Sequence, residues 1–241
     1  VVNHLGDAHV IAVDLRGHGR SAKQGPFGWD VFGRDLSELI AAMQLTDIVG
    51  VGHSMGGHVV TQAAANHTER FRRLVLVDPV IMAPEHYAME KAVVADPQSH
   101  PVARRRNQFR QADEMYYHIE QRGSYALWDR AVLRDYCRYG VLPNAADGGY
   151  VLACPPEIEA AIYTGSSGSD IYAEIERIEI PVTILRARQP AAATGQFDFS
   201  YSPTWPQLAS RFRQGVDVHL PDLTHFIPMQ APVLMAAHIR G

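Results

Sequence analysis

Asp47-Ile48-Val49-Gly50-Val51-Gly52-His53-Ser54-Met55-Gly56-Gly57-His58 is the stretch on which the fold turns. Its first half, Asp47 to Val51, is short, apolar and rich in β-branched residues, the pattern of a buried strand. Its second half fits G-x-S-x-G and opens a helix running to about Asn66. A serine between a strand and a helix sits on a tight, strained turn, so small residues must flank it. Gly52 and Gly56 leave that room, and the turn lifts the Ser54 hydroxyl to the carboxyl end of a sheet. The helix behind points N–H groups and its positive dipole end at the same place, which favours an anionic intermediate.

Working outward, the same alternation repeats. His9 to Asp14 (HVIAVD) reads as a buried strand, followed by the glycine-punctuated loop Leu15 to Ser21. Apolar residues at helical spacing mark an amphipathic helix from Trp29 to Met43. Leu74 to Val77 reads as a third strand. Strand, helix, strand, helix, strand predicts an α/β fold, a mostly parallel sheet covered by helices on both faces. From Pro84 to about Gly168 no buried strand is evident, and Arg105–Gln121, Ser124–Tyr139 and Ile158–Tyr163 have helical character. The predicted organisation is therefore a core over residues 1–83, a helical cap insertion over 84–170 and a second core segment over 171–241. In the last segment Pro181 to Ala187 and Val216 to Leu220 read as strands. Trp205–Arg213 and Pro232–Ile239 read as covering helices, and Pro190–Gly195 as a surface loop.

Composition bounds the function. The 241 residues are 46% hydrophobic and 20% charged, with a net charge of −4, which excludes a disordered, collagenous or coiled-coil chain. The near-even charge gives no reason to expect a nucleic-acid partner. The basic cluster Arg104, Arg105, Arg106 and Arg110 reads as a solvated helix face. Cys137 and Cys154 are too few for a disulfide framework and lack zinc spacing, so two free thiols in a reducing cytoplasm are expected. No apolar run approaches the roughly 18 residues that a membrane span needs. No cofactor or metal is implied, since neither a dinucleotide nor a phosphate-loop glycine pattern is present. The oligomeric state is not legible.

A serine hydroxyl needs a base, and the base needs an orienting acid. Of 12 histidines, His225 lies just beyond the last predicted strand, on a loop at the same sheet edge as Ser54. His219 falls inside that strand and is expected to alternate into packing. His53 and His58 are tied to the turn and helix, and His18 to a turn hydrogen bond. For the acid, Asp198 after the PVTILRA strand is the first candidate and Asp78 after the LVLV strand its rival. Asp222 has a turn role.

These residues resemble the α/β-hydrolase fold superfamily. The matching pieces are HVIAVDLRGHGRS (residues 9–21), VGHSMGGH (51–58), LVLVDP (74–79), PVTILRA (181–187) and THFIPMQAP (224–232). They run in the family's order, with the helical insertion where the family carries its cap. The resemblance implies the chain order serine, acid, histidine, which Ser54, Asp198 and His225 satisfy. It implies a serine hydrolase of carboxylic esters acting through an acyl-enzyme, with the Met55 N–H as an oxyanion donor. The cap would line the pocket, and Trp128, Tyr116, Tyr117, Tyr125 and Tyr136 are candidates to face it beside their simpler reading as cap packing. Dehalogenases and epoxide hydrolases of the superfamily use aspartate at the elbow, so serine there argues against both. An alternative is a carbon–carbon bond hydrolase with the same triad, for which Arg188 is the arginine at the sheet edge. The family's early strands and the His-Gly loop that gives a second oxyanion donor precede the point at which this sequence opens. A non-catalytic or truncated hydrolase-fold binding protein is therefore a further alternative. The expected partner is a small-molecule ester or related acyl substrate.

Overall fold

The computed structural model describes residues 1–89, 96–165, 169–190 and 198–241. Along the chain run α1 (Trp29–Ala42), β1 (Ile48–His53), α2 (Met55–Asn66), β2 (Phe71–Val77), α3 (Pro84–Met89), β3 (Gln108–Phe109), α4 (Ala112–Ile119), α5 (Arg130–Tyr139), β4 (Val141–Pro143), β5 (Tyr150–Leu152), α6 (Pro156–Thr164), α7 (Tyr172–Glu176), β6 (Val182–Ala187), β7 (Gly215–Leu220), α8 (Ile227–Gln230) and α9 (Pro232–Arg240), with 3-10 turns between them. They form two compact units. One holds residues 1–10, 29–89 and the described residues from 169 on; the other holds 11–28 and 96–165.

The first unit is built on a parallel four-stranded sheet in the order β1-β2-β6-β7. Strand β2 shows why the sheet is covered on both faces. Leu74, Val75, Leu76 and Val77 are all fully buried, and the two-residue period of a strand sends them to opposite sides. Leu74 and Leu76 pack with Val60, Ala63 and Ala64 of α2, Ile184 of β6 and Leu208. Val75 and Val77 pack with Leu185, Ala187, Ile227 and Met235 on the other side. Each such side chain contributes about 1.5–3 kcal/mol by leaving water, so β2 anchors both layers of the core. Helix α1 lies close to α2, because a Cβ on Gly33 would come within 2.5 Å of the Gln62 side chain. No helix among the described residues is long and apolar enough to cross a membrane.

The second unit has its own small antiparallel sheet, in the order β3-β5-β4, beside α4, α5 and α6. Lys23 ties its two chain segments together: its ammonium donates to the carbonyls of Gly17, Gly19 and Ala153. The basic cluster does not form one solvated face. Arg105 pairs with Glu159 at 2.6 Å, and Arg106 pairs with Glu114. Tyr125, Trp128 and Tyr136 pack ring to ring.

Several expectations are corrected. Residues 9–14 form no strand: they have no ladder partner among the described residues, and Val10, Ile11 and Val13 are exposed. A β-branched run becomes a strand only where a neighbouring backbone supplies its hydrogen bonds. The insertion is not purely helical, because β3, β4 and β5 are too short to show an alternating pattern. Residues 11–28 also group with it. The helical stretches at 105–121 and 124–139 shrink to α4 and α5. The 205–213 stretch holds only a 3-10 turn, Leu208–Arg211. His219 is exposed, because β7 is an edge strand of the sheet. Residues 191–195 of the expected surface loop lie outside the described residues.

Candidate active site

The sheet positions the site through its register. His53 of β1 pairs with Val77 of β2, so the next residues, Ser54 and Asp78, leave the carboxyl edge side by side. Both have left-handed backbones, with φ of +57° at Ser54 and +44° at Asp78. Such strain persists only where the surroundings hold it. The Ser54 N–H donates to the Val77 carbonyl at 3.0 Å, and the Ser54 carbonyl accepts from Gly57 N–H at 3.0 Å and Val80 N–H at 3.2 Å. Asp78 N–H donates to the Leu185 carbonyl of β6 at 2.7 Å. Gly52 is required by a close approach, since a Cβ there would sit 2.2 Å from the Gly56 carbonyl oxygen.

His225 arrives from the far side of the sheet, on the loop after β7. Its backbone N–H donates to the Phe199 carbonyl at 3.3 Å. Its ring links the other two residues: Nε2 is 2.9 Å from Ser54 Oγ and Nδ1 is 2.7 Å from Asp78 Oδ2. Asp78 and His225 are buried. With the carboxylate as acceptor, Nδ1 carries the proton and Nε2 is left to accept from the serine hydroxyl. That is the arrangement in which a serine can lose its proton as it attacks a carbonyl. Met55 opens α2, and the first N–H groups of a helix have no acceptor within it.

Asp198 is elsewhere. It is exposed, and its carboxylate accepts from Ser200 N–H at 2.8 Å. The structure brings together Ser54, His225 and Asp78, the rival acid, and not Asp198. The signal for Asp78 was its place directly after the fully buried run Leu74–Val77, in the strand that neighbours the elbow strand. Asp222 is exposed on the turn before His225.

The flanking histidines have settled roles. His53 Nε2 lies 2.7 Å from the His225 carbonyl, and the two rings are 4.8 Å apart. Burial, and next the charge that His225 would carry, push the His53 pKa down to about 4, so at neutral pH its Nε2–H donates to that carbonyl. His58 is buried between Gln62 Nε2 at 2.9 Å and the Ser169 carbonyl at 2.9 Å. Burial also lowers its pKa to about 4. His18 sits against the Arg16 carbonyl at 3.2 Å, within its own turn. Arg188 is engaged by its loop: Nε donates to the Ser200 carbonyl at 2.7 Å, and the guanidinium lies over the Tyr201 ring. Among the described residues, no group of three or more His, Cys, Asp or Glu side chains could hold a metal ion.

Comparison with known proteins matches residues 1–130 to the alpha/beta hydrolase fold. Haloalkane dehalogenase 2 of Mycobacterium tuberculosis (strain ATCC 25618 / H37Rv) is 28% identical over 235 residues, covering 95% of this chain and 76% of that protein. Esterase YbfF of Escherichia coli (strain K12) is 31% identical over 87 residues, 36% of this chain and 33% of the esterase. Among solved structures, that of E-2-(acetamidomethylene)succinate hydrolase aligns with a TM-score of 0.68 at 20% identity, covering 93% of this chain and 77% of that one. This last likeness speaks for the fold alone.

Proposed function

This chain is a hydrolase of the alpha/beta hydrolase fold family, and we propose that it cleaves small carboxylic esters through an acyl-enzyme on Ser54. One observation carries the reading: His225 bridges Ser54 Oγ at 2.9 Å and Asp78 Oδ2 at 2.7 Å. In this reading Ser54 attacks the ester carbonyl and His225 Nε2 takes the proton. The proton then passes to the leaving alcohol, and a water molecule, deprotonated by the same nitrogen, releases the acid. Asp78 holds the ring and balances the imidazolium. The Met55 N–H, at the start of α2, supports the oxyanion. Dehalogenation is disfavoured despite the dehalogenase relative, because displacement of a halide from saturated carbon calls for a carboxylate nucleophile and Ser54 offers a hydroxyl. Arg188, committed to its own loop, lends no support to a carbon–carbon hydrolase.

The test is labelling with a fluorophosphonate followed by intact mass, with Ser54→Ala as control, and turnover of p-nitrophenyl esters of graded acyl length. A single adduct lost in the control, with turnover of at least the shortest ester, supports the reading. A folded protein with neither adduct nor turnover overturns it.

A further inference from the structure

The loop after β6 was the expected source of the acid, and it supplies something else. Asp198 folds a tight turn there: its side chain accepts from Ser200 N–H and its carbonyl from Tyr201 N–H at 3.0 Å. Such a turn is characteristic of aspartate. Arg188 braces the turn from the strand side, donating to the Ser200 carbonyl and accepting from Ser202 N–H at 2.8 Å. What the turn presents is Ser202, buried at 8% exposure, with its hydroxyl 2.5 Å from Asp78 Oδ1. We infer that Ser202 is a positioning residue for the reaction, fixing the Asp78 carboxylate so that its other oxygen faces His225.

The direction of the hydroxyl proton is set by its neighbours. Thr204 N–H donates to Ser202 Oγ at 3.2 Å, so the Ser202 proton is directed to the carboxylate, which can only accept. Oδ1 also receives Ala187 N–H at 2.9 Å. The nearby Thr204 hydroxyl cannot replace Ser202. It lies 3.4 Å from Oδ1 and spends its single proton on the Pro79 carbonyl at 2.7 Å. The same loop holds the base: the Phe199 ring stacks on His225 at 5.6 Å, and its carbonyl accepts the His225 N–H. One segment thus orients acid and base together. Without the Ser202 hydroxyl, the Ala187 N–H is left to hold Oδ1, and the carboxylate is less firmly fixed against Nδ1.

The inference rests on Asp78 as the acid, so wild type and Asp78→Asn are run beside Ser202→Ala, Ser202→Cys and Ser202→Thr on one p-nitrophenyl ester. A hydrogen bond to a charged group is worth enough that Ser202→Ala should lower kcat about 10- to 100-fold, with KM little changed. The acid limb of kcat/KM should move to lower pH, because the imidazolium loses its oriented partner. Ser202→Cys, close in shape but a weak donor, should share both effects, and Ser202→Thr should recover most of kcat. Should Ser202→Ala fail to fold, the cysteine variant carries the test. Wild-type kcat and an unmoved acid limb in the folded alanine or cysteine variant overturn the inference, as does a loss in thermal stability alone. An inactive wild type, or an Asp78→Asn variant as active as wild type, would instead count against the underlying triad.

Discussion

The Asp78 carboxylate meets the His225 ring across 147 positions of sequence, with Oδ2 2.7 Å from Nδ1. The two residues follow β2 and β7, strands that are not neighbours in the sheet. The contact therefore depends on the loop that brings His225 back over the sheet edge, and on the left-handed backbone that turns Asp78 toward it.

That contact separates two aspartates by experiment. Asp78→Asn replaces the acceptor of the Nδ1 proton with a group that favours the wrong ring tautomer. Its kcat on an ester substrate should fall on the order of 10⁴-fold. Asp198→Asn, at an exposed turn, should stay within about twofold. Steady-state kinetics on both variants, with circular dichroism to show that each is folded, decides between them. Equal losses would remove Asp78 from its place.

His53 should matter through its donor and not its charge. His53→Phe removes the Nε2–H bond to the His225 carbonyl and should lower kcat about 3- to 10-fold, the range of one neutral hydrogen bond. His53→Gln can still donate and should lose less. If the phenylalanine variant matches wild type, the bond does not hold the base.

Stability should decline on the acid side of neutrality. His53 and His58 have folded pKa values near 4, well below the ordinary histidine value of 6.5. Between those values the unfolded chain binds protons that the folded chain does not, so stability rises with pH. The contribution is fully present above about pH 6.5 and is lost as pH falls toward 4. For His58, 1% exposed, it is of order 3 kcal/mol. Thermal unfolding from pH 7 to 4 should show a falling midpoint with a shallower slope in His58→Gln. Parallel slopes would exclude His58 as a source.

Gly52→Ala should disrupt the elbow. The added methyl would lie 2.2 Å from the Gly56 carbonyl oxygen, a rigid backbone atom. The chain must shift, at a cost of about 1–3 kcal/mol, and Ser54 shifts with it. Lower urea midpoints and weak fluorophosphonate labelling are expected. A variant with wild-type stability and labelling would show that the turn has room.

Much of this was written in local sequence. The runs 47–51, 74–77 and 181–187 declare themselves as strands by their apolar, β-branched residues, and 74–77 is buried on both faces, where no polar side is needed. Ser54 was legible because a tight strand-to-helix turn demands glycine at fixed offsets. His225 was legible from its position after the last strand of the parallel sheet. These features depend on neighbours within a few residues, so the order of residues is enough to reveal them.

The carboxylate that meets His225 was decided only in three dimensions. Asp78 and Asp198 both follow a strand of the sheet, Asp78 at once and Asp198 after a loop, and that local difference does not say which carboxylate reaches the histidine. The register of β1 against β2 puts Asp78 beside Ser54, whereas the carboxylate of Asp198 is consumed by its own turn. Residues 9–14 teach the same lesson in reverse. Their pattern is that of a strand, yet among the described residues no backbone pairs with them. The sequence by itself determined the candidates Ser54 and His225 and the alternating core, since these follow from local geometry and periodicity. Which carboxylate faces the histidine, which hydroxyl faces that carboxylate and which apolar run becomes a strand were settled by tertiary structure, because each depends on a partner distant in the chain.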